Sequence, residues 1–119
     1  MEVVFIYHCL FIFWNIGRIV WENRFKYLNP IEKYSLFFSY QYGDSYHFKR
    51  NDIRLMRRFY LDFPIYYRSL NKISWEQFKE ILVLNDKDER YFYYCLSLFF
   101  NSDLQETKEF ISNEYYIRI

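Results

Sequence analysis

Alanine is absent from this 119-residue chain, and glycine, proline, cysteine and histidine each occur only twice. Two glycines cannot build a phosphate cradle, which needs several residues free of Cβ steric limits. The two cysteines, Cys9 and Cys95, lack CxxC spacing and cannot frame a disulfide scaffold for a domain of this size. Both sit in apolar runs, where a free thiol behaves as a small hydrophobe. His8 and His47 lie far apart and belong to no HxxxH or Cys/His cluster. No structural zinc, no other metal and no cofactor is therefore expected. Long apolar runs are scarce as well. Val3 to Gly17 is uncharged, but its fifteen residues fall short of the roughly 20 that a spanning helix needs. The run follows Glu2 and ends at Arg18, without the positive start and small-residue close of a signal peptide. A cytoplasmic protein with no membrane partner is expected.

An excess of one charge is also missing. Sixteen Lys and Arg face 15 Asp and Glu, which excludes a uniformly basic nucleic-acid coat and an acidic tail. What the chain does hold is aromatic: 14 Tyr and 14 Phe, beside a single threonine, Thr107. Such a composition is what AT-rich codons supply. Phe and Tyr fill a core as Leu does, so this load is weak support for base stacking. The length fits one domain spanning residues 1–119.

Helical spacing runs along the whole chain. A long first helix is expected over about residues 3–26, apolar around most of its circumference. Such a helix is hard to cover from within a small domain. Phe5, Cys9, Ile12, Phe13 and Ile16 are therefore the candidate surface for a homodimer or another partner, with a membrane anchor as the lesser alternative. Asn29-Pro30 closes this helix, and a second runs from Ile31 to Tyr42, broken by Gly43-Asp44. A third covers about Arg50 to Phe63, with Ile53, Met56, Phe59, Tyr60 and Phe63 as its apolar set. Ser74-Trp75-Glu76-Gln77 reads as a capping box opening a fourth. Asn85 to Asp88 precedes a buried helix over Tyr91 to Phe100, and Leu104 to about Tyr116 is the last. Six helices with almost no hairpin signal define an all-α fold.

The neutral sum hides a segregation. Lys49 to Arg58 carries five bases (Lys49, Arg50, Arg54, Arg57 and Arg58) against Asp52, a local balance of +4. Asp103 to Glu114 carries four acids against Lys108, a balance of −3. Arg50, Arg54, Arg57 and Arg58 stand at i, i+4, i+7 and i+8, along one helix face. Guanidinium forks suit phosphate oxygens and the guanine edge, and a helix fits the major groove. The competing reading is a solvated face whose arginines pair with the acidic last helix, and spacing alone favours it slightly.

Catalytic constellations are weak. Glu106-Thr107-Lys108, with Asp86 or Asp88 upstream, has the order of a PD-(D/E)xK nuclease. That chemistry needs a sheet to bring the groups together on a metal ion, and these residues fall in a helix. Glu76 and Glu80 read as surface charge, and no serine has a histidine nearby. A non-enzyme is expected.

Several segments together resemble one family. Phe13-Trp14-Asn15-Ile16-Gly17-Arg18-Ile19 resembles the opening "Y-W-x-I-G-x-x-I" of the DUF1016 N-terminal domain found in YhcG-like proteins. Phe48 to Tyr60 resembles its "F-S-x-R-N-L-x-x-M-R-x-F-Y" segment. Ile73-Ser74-Trp75-Glu76 stands in place of "L-S-W-S/T-H", and Arg90-Tyr91-Phe92-Tyr93 of "R-x-F-Y". Ile111, Tyr116 and Arg118 fit the closing "I-x-S-x-x-Y-x-R". The departures are Lys49 for serine, Asp52 for asparagine, Glu76 for histidine and Ser102-Asp103 for Trp-Ser. The resemblance implies a helix-turn-helix or winged-helix-like bundle that binds DNA, lacking the nuclease domain that follows it in longer relatives.

The resemblance makes a non-catalytic DNA-binding domain the leading expectation, with Lys49, Arg50, Arg54, Arg57 and Arg58 as the contacts. The alternative is a small phage- or mobile-element-encoded module that binds and regulates a defence nuclease complex. In that case Glu106, Glu109 and Glu114 would imitate phosphate. A weaker third is a remnant supporting a separately encoded nuclease subunit.

Overall fold

Capping chemistry sets where the helices begin. The computed structural model describes residues 2–42 and 48–117, with side chains from Leu10 onward, Tyr42 excepted. Its helices are α1 (Glu2–Glu22), α2 (Pro30–Tyr42), α3 (Arg50–Asp62), α4 (Trp75–Leu82), α5 (Lys87–Phe99) and α6 (Leu104–Ser112). A short 3₁₀ turn, Arg68–Lys72, precedes α4. No strand occurs among the described residues, so the fold is all-α, with nothing there to form a wing. Seven residues, 43–49, join α2 to α3. A helix-turn-helix uses three or four, the length of the links 83–86 (α4 to α5) and 100–103 (α5 to α6).

α1 ends earlier than its apolar pattern suggests. Asn23 Nδ2 donates to the Ile19 carbonyl at 2.8 Å, and Arg24 donates to the Trp21 carbonyl at 2.8 Å. The Ile19 carbonyl still accepts the Asn23 backbone amide at 3.1 Å, but the Trp21 carbonyl takes the Arg24 amide (3.2 Å) and guanidinium in place of the i+4 amide that further helix would have supplied. Asn29-Pro30 opens α2 more than it closes α1. The Asn29 Oδ1 accepts the Glu32 amide at 3.4 Å, and proline fits the first helical position because its missing N–H is not needed there.

The described chain divides into two compact units. The first is Phe11–Ile65. In it α2 packs on α3, and the Trp14 indole donates to the Phe63 carbonyl at 2.6 Å. Gly17 meets α3 backbone to backbone: a Cβ there would lie 1.9 Å from the Met56 carbonyl oxygen. Ile53, Met56 and Phe59 are fully buried. Phe48 packs between Phe13 and Phe38, and its carbonyl accepts the Ser35 hydroxyl at 2.6 Å.

The second unit is Met1–Leu10 with Tyr66–Ile119. Here α4, α5 and α6 pack on one another. The Ser74 box forms as the sequence predicts, with Gln77 N donating to Ser74 Oγ (3.1 Å) and Ser74 N to Gln77 Oε1 (3.0 Å). The Gln77 amide then continues inward, donating to the Ser102 carbonyl (2.8 Å) and to Thr107 Oγ1 (3.1 Å). Ser97 Oγ closes the network 2.9 Å from Thr107 Oγ1. α5 is not buried all round: Tyr93 and Tyr94 face inward while Tyr91 and Phe99 are exposed. α6 stops at Ser112, and Glu114 takes a left-handed φ of 57°.

Candidate nucleic-acid interface

α3 separates its residues by solvent exposure. Asp52, Ile53, Leu55, Met56 and Phe59 are buried, one more aliphatic and one more acid than the apolar spacing picks out. Tyr60 is only half-buried. On the other side Arg50 and Arg54 are exposed and Arg57 and Arg58 half-buried. At 3.6 residues per turn the four guanidiniums span an arc of about 100°. Leu61 lies within that arc, and exposed Asn51 borders it. Asn51 escapes a reading based on charge, although its helical position beside Arg54 and Arg58 marks it. An asparagine amide can pair with an adenine edge.

The start of α3 is capped from one side only. Lys49 has no acceptor on its side chain, so nothing there replaces the serine of the related motif. Instead Asp52 Oδ2 accepts the Lys49 amide at 3.2 Å. This carboxylate complements the positive end of the helix dipole. Lys49 itself is exposed, at the head of the arginine stripe.

Arg57 sits half-buried between two like charges. Burial first, then the neighbouring charges of Arg54 and Arg58, push the Arg57 guanidinium below its ordinary pKa. It remains a cation at neutral pH, because guanidinium deprotonation lies far above that range. Arg50 and Arg54 form no ion pair among the described residues. The first unit holds nine Lys and Arg against five Asp and Glu, a net +4, while the second holds seven against ten, a net −3.

A second cationic feature of the first unit was hidden by the aromatic background. The Arg24 guanidinium lies 3.9 Å from the Trp21 ring centroid and 4.7 Å from that of Phe25. The ammonium groups of Lys33 and Lys26 lie 4.4 and 5.6 Å from Tyr27.

The structure uses the remaining candidates differently. Phe13 and Ile16 are buried, leaving 4% and 2% of their surface exposed, so neither has surface to offer a partner. Ile12 is 43% exposed and Phe11 is a further exposed ring beside it. The side chains of Phe5, Cys9 and His8 lie outside the described residues, as do Gly43, Asp44, His47 and Arg118. Glu106 closes a capping box with Asp103, its amide donating to Asp103 Oδ1 at 2.9 Å. Thr107 is wholly buried in the polar network, and Lys108 is exposed. The E-T-K triplet is thus a helix start. No group of three His, Cys, Asp or Glu residues able to hold a metal ion stands together among the described residues. Nor is any described helix long and apolar enough to cross a membrane.

Other segments of the family-like pattern hold the fold together. Trp14 and Gly17 seat α1 on α3. Arg90 is buried and donates to the Leu84 carbonyl at 2.8 Å. The Tyr93 hydroxyl accepts the Tyr116 amide at 3.2 Å.

Comparison with curated proteins and with solved structures finds no match. Comparison with family models finds the DUF1016 N-terminal domain over residues 7–118, a span that takes in α3 and nearly all of both compact units. The chain belongs to the DUF1016 N-terminal domain family.

Proposed function

We propose that the chain is a non-catalytic DNA-binding domain, and that the outer face of α3 is its contact surface. One observation carries this reading. Four guanidiniums share one side of a helix whose other side is fully committed to the core, and Arg50 and Arg54 have no carboxylate partner among the described residues. Duplex phosphates supply the missing anions. Lys49 and Arg50 stand at the end of α3 from which a groove-lying helix makes its base contacts. Arg54, Arg57 and Arg58 continue along the same face toward the flanking backbone.

The test is fluorescence anisotropy of a labelled duplex against salt. Four phosphate contacts give a log–log slope near −3.6, or roughly a 150-fold loss of affinity between 50 and 200 mM salt. Arg54→Glu/Arg57→Glu should abolish most of that binding while leaving the circular dichroism of the native chain. Absence of binding at 50 mM salt, or binding indifferent to both substitutions, refutes the reading.

One observation favours a protein partner instead: the second unit carries the opposite charge, with Glu106, Glu109 and Glu114 all exposed. On that reading the domain occupies the basic cleft of a nucleic-acid-targeting defence nuclease. Glu106→Lys/Glu109→Lys would then abolish inhibition, and the α3 substitutions would not.

A further inference from the structure

The outer face of α2 is apolar and uncovered. Ile31, Ser35 and Phe38 turn inward, while Lys33, Leu36, Phe37 and Tyr40 are exposed at i, i+3, i+4 and i+7. That spacing is the seam of a helix pair, not a solvated surface. Leu36 is 66% exposed, Phe37 51% and Tyr40 90%.

We propose that this face docks a second copy of the chain, with the two α2 helices antiparallel about a two-fold axis between Leu36 and Phe37. The face is complementary to itself in that register. Leu36 meets the Phe37 of the other copy, Lys33 meets its Tyr40, and Glu32 meets its Gln41. Each pair occurs twice, as an isologous interface requires. The pairs are chemically matched: aliphatic on aromatic, the alkyl stem of Lys33 (its ammonium resting on Tyr27 of its own chain) against a tyrosine ring, and carboxylate with a side-chain amide. No like charges oppose one another.

The surface reaches the size a specific interface needs. Leu36, Phe37 and Tyr40, with the exposed stems of Glu32, Lys33 and Gln41, offer on the order of 500 Å² per copy. The lower bound for a specific interface is about 1,000 Å² over both partners. The dimer would carry two α3 faces, but its formation does not depend on DNA.

Sedimentation equilibrium separates the outcomes. The native chain at about 50 μM should have twice its 15.2 kDa mass, and Leu36→Glu and Phe37→Lys should each return it to one. An equimolar mixture of these two variants should dimerise again, because one carboxylate–ammonium pair and one native Leu–Phe pair then form across the axis. Circular dichroism checks that both variants fold; each substitutes an exposed side chain. A native monomer overturns the proposal and leaves the face to a different partner. Loss of the dimer in Ile12→Glu but not in Leu36→Glu overturns it in favour of α1. Failure of the mixture to re-associate overturns the antiparallel register. Sedimentation without DNA, repeated at 500 mM salt, keeps this result separate from duplex binding: an apolar dimer persists where phosphate contacts are lost.

Discussion

Replacing Gly17 with alanine tests the packing that presents α3. A Cβ at this position would lie 1.9 Å from the Met56 carbonyl oxygen, 2.5 Å from its carbon and 3.1 Å from the Arg57 amide nitrogen. All three obstacles are backbone, so no rotamer change relieves them. α1 and α3 would have to separate by about 1 Å, loosening fully buried Val20 and Met56. Overpacking of this kind costs about 1–3 kcal/mol, and a rigid obstacle puts it near the upper end. Against this, alanine in a helix interior gains about 1 kcal/mol over glycine. The net expectation is a loss of ~2 kcal/mol, or roughly 6–10 °C in Tm for a chain of this length. Urea denaturation followed by circular dichroism measures it directly. A Gly17→Ala variant as stable as the native chain, or more so, would refute the close approach, because propensity alone predicts a gain.

Two further perturbations probe the second unit. Thr107→Val keeps the shape of a fully buried side chain but takes a hydroxyl from between Gln77 and Ser97. Loss of about 1–3 kcal/mol is expected by urea denaturation, and a neutral result would mean that the network contributes nothing. Tyr66 is a pH probe: burial pushes its phenol up to about 12. Its unfolded counterpart releases a proton near pH 10, so between pH 10 and 12 the unfolded chain binds fewer protons and stability falls as pH rises. The contribution is fully present below pH 10. Tyr66→Phe, which cannot ionise, should show a shallower decline of urea midpoint over that window. An unchanged slope would disprove the assignment.

Element order and type were legible because they rest on local chemistry. The Ser74–Gln77 box and the arginine face of α3 follow from spacing alone. Boundaries went astray where side chains compete with the backbone. α1 ends four residues before its apolar pattern does, where the Trp21 carbonyl accepts the Arg24 guanidinium and an i+3 amide instead of the helical i+4 one. Tertiary roles were less readable. Nothing local says that Gln77 caps α4 and also reaches Thr107, thirty residues on. Phe13 and Ile16 look like interface residues on an all-apolar helix, yet both are spent inside the fold. The exposed stripe lies on α2, whose apolar positions alone do not reveal which ones the core claims.

The arginines differ in what they do, and the difference bears on function. Arg90 is buried against a carbonyl, Arg18 is paired with Glu22 at 3.1 Å, and Arg24 rests on two rings. Each of these contributes to local structure. Arg50 and Arg54 have no ion pair among the described residues, and Arg57 is held beside two charges of its own sign. Accumulating like charges on one helix face opposes folding, and here the core side of α3 is complete without them. Any anion that relieves this repulsion gains affinity from it, and closely spaced phosphates relieve several charges at once. Arg54→Gln, which keeps the polar reach but removes one charge, should therefore raise stability slightly while weakening duplex binding. Loss of both together would mean that Arg54 serves the fold, and the case for a DNA face on α3 would fall with it.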